Sequence, residues 1–181
     1  ALFENSWFVM GCAAMRCEKW EEAINALSRV IHIDPDNGEA WTNMASVFVH
    51  LNQKRDAWRA MREALRQHFD NAKIWENYLY ISIDLGEFQE VILCISRILS
   101  IRWGNNNDEK SMSSKGASNS VDTGIVGILI DAVVKDIPDA KGNGASLYRP
   151  KVDKLIGEIS SKVTNDTVLY HHFAKFYLHS S

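Results

Sequence analysis

Residues 34–45 read Asp34-Pro35-Asp36-Asn37-Gly38-Glu39-Ala40-Trp41-Thr42-Asn43-Met44-Ala45, a proline-bearing turn that runs into a tryptophan-led segment. Trp41 stands 34 residues after Trp7 and 34 before Trp75; Ala23 and Ala57 keep the same interval, and Val91 falls where a third alanine would be. Self-similarity at a fixed period of this size is the mark of stacked supersecondary units. Between the tryptophans, Ala23, Ile24, Leu27, Val30 and Ile31 recur at intervals of three and four, which aligns them along one stripe of a helix. A lone helical pair exposes that stripe, and stacking on a neighbour covers it. Pro35 stops one helix and presets the turn before the next.

The first helix of each unit can be laid out from its tryptophan. Trp7, Met10, Gly11 and Ala14 are followed by Trp41, Met44, Ala45 and Phe48, then by Trp75, Tyr78, Leu79 and Ser82. The turns into the second helices read Glu18-Lys19-Trp20-Glu21-Glu22-Ala23 and Gly86-Glu87-Phe88-Gln89-Glu90-Val91, while Asn52-Gln53-Lys54-Arg55-Asp56-Ala57 keeps mainly the alanine. On these residues the chain resembles the tetratricopeptide repeat family. The resemblance implies an all-α fold, an α-solenoid of stacked helical hairpins forming a right-handed superhelix, with Trp7, Gly11, Ala23, Pro35, Trp41, Ala57 and Trp75 as its structural core. Gly11 and Ala45 stand where the two helices of a hairpin touch, and Leu79 departs from that pattern, which is expected to loosen the third hairpin. Three repeats are expected, at about 4–37, 38–71 and 72–104.

The chain has 181 residues, 46% of them apolar and 24% charged, enough for a continuous core. A net charge of -3 implies no whole-chain attraction to nucleic acid or membrane. Its longest apolar stretch, residues 125–134, is broken by Gly127 and Asp131 and falls short of the ~20 residues a membrane span needs. No signal-peptide pattern is present. Cys12, Cys17 and Cys94 are odd in number, show no metal-like pairing and fall in expected helices, which fits free thiols in a reducing compartment, cytoplasmic or nuclear. The chain begins inside a repeat without an initiating methionine, so it is expected to be a fragment of a longer protein.

After Trp103 the pattern changes. Residues 105–120 are almost wholly polar and small, and are expected to form a mobile loop. A helix from Asp122 to Lys135, a turn through Pro138 and Gly144, and a helix from Pro150 to Val163 suggest a divergent fourth hairpin over 121–166 with an inserted loop. Tyr170, Phe173, Ala174 and Tyr177 repeat the first-helix spacing, so 167–181 reads as the first helix of a fifth unit or as a cap. The runs at 132–139 and 161–166, with residues 34–43, resemble the carboxy-terminal half of one long tetratricopeptide repeat protein. That resemblance implies an intracellular scaffold with no catalytic residues to transfer.

Function then rests on two surfaces. The concave groove is expected to use Phe8, Cys12 and Met15 from the first repeat, Glu39, Asn43, Ser46 and His50 from the second, and Lys73, Asn77, Tyr80 and Asp84 from the third. Some members of the family grip acidic chaperone tails with a clamp of Lys and Asn residues and an Arg. Asn43 and Lys73 match that clamp by position, whereas Phe8, Cys12 and Asn77 replace a Lys, an Asn and the Arg, which removes most of the charge-assisted hydrogen bonding to a carboxylate. On the convex side Arg55, Arg59, Arg62 and Arg66 follow i, i+4, i+7, i+11, and they suit phosphate or an acidic partner. With Asp56 and Glu63 between them, a solvated, partly neutralised face is the simpler reading. Trp58 is the one aromatic nearby that single-stranded nucleic acid would stack on.

No motif for catalysis, metal or cofactor is found. The six histidines show no ligand spacing, Asp34-Pro35-Asp36-Asn37-Gly38 lacks the later ligands of a calcium loop, and there is no phosphate-binding glycine motif or nucleophile elbow. The expectation is a non-enzymatic interaction scaffold without metal or cofactor, holding a peptide or helix of a protein partner in the groove, with no membrane or small-molecule substrate and with nucleic acid disfavoured. The alternatives are an adaptor for acidic chaperone tails and an RNA-processing helical-repeat scaffold, the latter suggested by Trp75-Glu76-Asn77-Tyr78.

Overall fold

A computed structural model describes residues 2–104, 122–163 and 165–179, with side chains from residue 5 onward. The expected loop at 105–120 lies outside the described residues. Those residues are helical, without a strand among them, apart from a single antiparallel bridge between Pro138 and Gly144. The chain divides into two compact units, residues 1–85 and 86–181, each with its own packing. The division falls inside the third expected repeat.

The first unit holds α1 (Leu2–Arg16), α2 (Trp20–Ile33), α3 (Gly38–His50), α4 (Lys54–Gln67) and α5 (Ala72–Leu85). α1 pairs with α2 and α3 with α4, and each pair packs on the next helix. The core is built largely from small residues, Ala23, Ala26, Ala45, Ala57 and Ala64 among them, all fully covered. Small residues let helix axes approach closely, and two glycines go further. A Cβ on Gly11 would lie 2.9 Å from the Leu27 side chain, and one on Gly38 would lie 2.5 Å from the His68 ring. Leu79, at the position of Gly11 and Ala45, is buried as well.

The hairpin turns follow the same period. Glu18, Asn52 and Gly86, spaced 34 apart, all have a positive φ, of 56°, 57° and 70°. In the first two turns the chain closes with Lys19 N donating to Ala14 O at 2.9 Å and Gln53 N to Phe48 O at 2.8 Å, the bonds that end a helix on a left-handed residue. Cys17 therefore sits in the turn after α1 and not inside a helix as its sequence context suggested. The entries to α3 and α5 are also copies of one another. Asn37 Oδ1 accepts from Ala40 N, and Asn71 Oδ1 from Lys73 N and Ile74 N. Trp41 Nε1 donates to the Pro35 carbonyl and Trp75 Nε1 to the Phe69 carbonyl, both at 2.8 Å.

The tryptophans expected in the core are not equally covered. Trp75 is 5% exposed, whereas Trp7 and Trp41 are half-buried. The Arg29 guanidinium lies 4.6 Å from the centre of the Trp7 ring. Pro35 is exposed: its part is to shape the turn and offer its carbonyl, not to fill the core.

The second unit holds α6 (Phe88–Gly104), α7 (Thr123–Val134), a 3₁₀ turn (Ala145–Tyr148), α8 (Arg149–Ser160) and α9 (Thr167–Leu178). Asp122 caps α7 and Pro150 lies in the first turn of α8. α7 packs mainly against α9 and the 3₁₀ turn, and α8 against α6 and that turn. They therefore do not pair as α1 does with α2: the two helices of the divergent fourth hairpin expected over 121–166 pack mainly on other elements. The segment between them is the physical reason, since it is held as a structure of its own.

Within that segment Asp139, only 9% exposed, gathers six bonds, one of them from Gly142 N to its carbonyl at 2.9 Å. Its carboxylate accepts from Lys141 N, Asn143 N, Asn143 Nδ2 and, at 2.8 Å, the Tyr148 hydroxyl, and its backbone N–H donates to Asn143 O. On the α7–α9 side, His172 covers Gly127 and Lys175 donates to Asp131 at 2.7 Å. Tyr170 repeats the tryptophan bond with a hydroxyl, donating to the Val163 carbonyl at 2.8 Å.

Two outcomes follow for stability. Trp75→Ala is expected to cost ~3–5 kcal/mol in chemical denaturation, as for other buried aromatics, and Trp41→Ala clearly less. Glu18→Gly is expected to raise stability by up to about 1 kcal/mol in the same measurement, because glycine takes the left-handed conformation without the steric cost a Cβ brings.

Candidate functional site

The first helices of the repeats converge on one cleft of about 380 Å³ in the first unit. Phe8 reaches it from α1, Glu39, Thr42 and Asn43 from α3, His68 and Asn71 from the α4–α5 turn, and Lys73, Ile74 and Asn77 from α5. Five residues assigned to the groove from sequence, Phe8, Glu39, Asn43, Lys73 and Asn77, are thus brought together.

The others sit elsewhere. Cys12 is half-buried beside the cleft, its sulfur 3.5 Å from Asn43 Nδ2. Ser46 turns its hydroxyl onto its own helix, donating to Thr42 O at 3.1 Å. His50 stacks on Trp20, with ring centres 4.6 Å apart and planes 12° from parallel, so it faces α2. Asp84 is tied to Lys54 of α4 at 2.7 Å. Met15 is half-buried and Tyr80 exposed, neither lining the cleft.

His68, Asn71 and Ile74 were missed because they belong to a turn and to the opening of a helix, outside the tryptophan-based register. Asn71 did leave a signal: it stands 34 residues after Asn37, and both serve as caps.

The cleft is chiefly lined by carboxamides, a hydroxyl and apolar surface. Its cation, Lys73, lies 3.3 Å from Glu76. Glu39 enters no salt bridge among the described residues. Nothing here resembles a nucleophile with a base, and among the described residues no group of His, Cys, Asp and Glu could hold a metal ion.

The arginine stripe is exposed along α4, but it is engaged. Arg59 pairs with Asp56 at 3.4 Å, Arg66 with Glu63 at 2.9 Å, Arg62 lies over the Trp58 ring, and Arg55 also has a partner. Trp58 itself is half-buried, stacks on Tyr78 and donates to Ser82 Oγ at 3.1 Å, so it is not a free platform for a base.

Two further groups have shifted acidities without belonging to the cleft. Burial pushes the Cys94 thiol well above its ordinary value, which leaves it inert. Asp139 is lowered to about 2, first by the hydrogen bond from Tyr148 and then by those from the Asn143 and Lys141 backbone. That cluster organises a loop.

A family model described as tetratricopeptide repeat matches residues 14–77, the span that carries the copied caps, turns and indole bonds. The chain carries tetratricopeptide repeats. A TPR repeat-containing protein of Schizosaccharomyces pombe is 32% identical over 175 residues, 96% of this chain and 20% of its own. The tetratricopeptide repeat protein 27 homolog of Dictyostelium discoideum, a form of the long protein that the tail runs resemble, is 36% identical over 177 residues, 97% of this chain and 19% of its own. This tetratricopeptide chain thus spans about a fifth of the length of those curated relatives. Its fold is similar to that of a crystal structure of MamA protein, with a TM-score of 0.60 at 13% identity over 98% of this chain and 82% of that one. No helix among the described residues is long and apolar enough to cross a membrane.

The Asp139 cluster yields a pH dependence. An unfolded aspartate titrates at about 3.9, so the lowered pKa stabilises the fold above that pH, and this contribution is lost as pH falls toward about 2. Asp139→Asn is expected to lower the melting temperature at pH 7, with the gap to the parent closing between about pH 4 and about 2 in thermal scans.

Proposed function

We propose that this tetratricopeptide region is a non-enzymatic scaffold that holds a peptide or helical segment of a protein partner in the cleft formed by α1, α3 and α5. The observation that carries this reading is the convergence of Phe8, Asn43, Lys73, Ile74 and Asn77, from three successive first helices, on one open cleft. Repeat stacks bury their apolar stripes against one another, so the remaining functional surface is the one that the repeats build jointly. Polar groups with donors and acceptors beside the apolar Phe8 and Ile74 suit a segment of polypeptide.

A second reading, an adaptor for acidic chaperone tails, is favoured by Asn43 and Lys73 sharing the cleft. It is weakened by Glu76 beside Lys73, by Glu39 on the wall and by Phe8, Cys12 and Asn77 at the other clamp positions. The RNA-scaffold reading loses support because its arginines are engaged and its aromatic is bonded inward.

Photo-crosslinking in the full-length protein tests the proposal. With benzoylphenylalanine at Phe8 an adduct to a defined protein segment is expected, and with the same group at Arg59, on the outer face of α4, none. Adducts at Arg59 and none at Phe8 would overturn it.

A further inference from the structure

Resting on that reading of the cleft, the structure also indicates what kind of segment fits. Asn43 and Asn77 stand one repeat apart on α3 and α5, both half-buried and both on the cleft. The Asn77 side chain makes no hydrogen bond among the described residues, and the Asn43 side chain only the long contact to Cys12 Sγ, a weak acceptor. A carboxamide offers a donor and an acceptor together, which is the pairing presented by a peptide main chain. Set one repeat apart on the same cleft, the two carboxamides are placed to meet main-chain groups at two points of one extended segment. They would hold a strand-like segment whatever its side chains.

Selection comes from charge. Glu39 is exposed on the same wall and has no salt-bridge partner among the described residues, while the cleft's lysine already lies against Glu76. With Lys73 held by Glu76, Glu39 is the carboxylate of the cleft without a salt bridge among the described residues. Phe8 and the buried Ile74 supply apolar surface on which the methylene stem of a long cationic side chain rests while its head reaches a carboxylate. We propose that the cleft binds an extended peptide through its main chain with Asn43 and Asn77, and selects a lysine or arginine with Glu39.

Fluorescence anisotropy with the full-length protein tests this, using two labelled pools of end-capped octapeptides, one with Lys or Arg fixed at a central position and one with Glu. The cationic pool is expected to bind about tenfold tighter, the size of one charge-assisted hydrogen bond. Glu39→Gln should abolish that preference and Glu39→Lys reverse it, whereas Asn43→Ala combined with Asn77→Ala should weaken both pools by the same factor. Glu39 lies in the first turn of α3, so melting curves of both Glu39 variants must match the parent before affinities are compared. A preference for the acidic pool, or one unchanged by Glu39→Gln, overturns this inference. With adducts still forming at Phe8, the cleft remains the partner site. Binding of neither pool, with no adduct at Phe8, overturns both.

Discussion

Three helices of this protein, α3, α5 and α9, each carry a ring that donates a hydrogen bond back to a carbonyl of the turn before it. Trp41 reaches Pro35 and Trp75 reaches Phe69 at the same distance and the same sequence separation, and Tyr170 does the equivalent with its hydroxyl to Val163. Each such bond contributes ~0.5–1.5 kcal/mol net and ties the path of the turn to the seat of the ring. With the carbonyl as acceptor, the residue that owns it matters little. Phe69 stands in for Pro35 and adds an edge-on contact with Trp75 at 5.8 Å.

Close approach is the second constraint. The alanines of α2, α3 and α4 let axes draw near, and Gly38 admits the His68 ring to a distance that no Cβ would tolerate. The left-handed turn residues show what such packing tolerates. Glu18 and Asn52 adopt a conformation in which only Gly86 is at ease, because the hairpin geometry outweighs their local cost. That cost is a reservoir a designer can recover.

The same packing makes the cleft. With the apolar faces turned inward, the first helices present carboxamides, a hydroxyl, a free carboxylate and a paired lysine to one open space. The arginine stripe is the opposite case, a row of like charges whose neighbours Asp56, Glu63 and Trp58 draw it into local pairs. The amino-acid order already set Asp56 and Glu63 among the four guanidinium groups and made a partly neutralised face the simpler reading. In three dimensions the intervening residues meet them.

The helical class, the repeat length and five of the cleft residues were legible in the amino-acid order, because a 34-residue period in tryptophan and alanine can be satisfied only by helix pairs that nest in the same way each time. Asn37 and Asn71 keep the same interval, but their capping bonds were seen only in the structure. What the order alone did not settle was which side of a helix each groove candidate faces: His50 went to Trp20 and Asp84 to Lys54. Nor did it settle how α7 and α8 are joined, since Asp139 and Tyr148 look like ordinary loop residues until their bond is seen. Periodicity encodes burial, which acts one residue at a time. Pairing between polar side chains depends on distances across elements, and only the packed structure decided those.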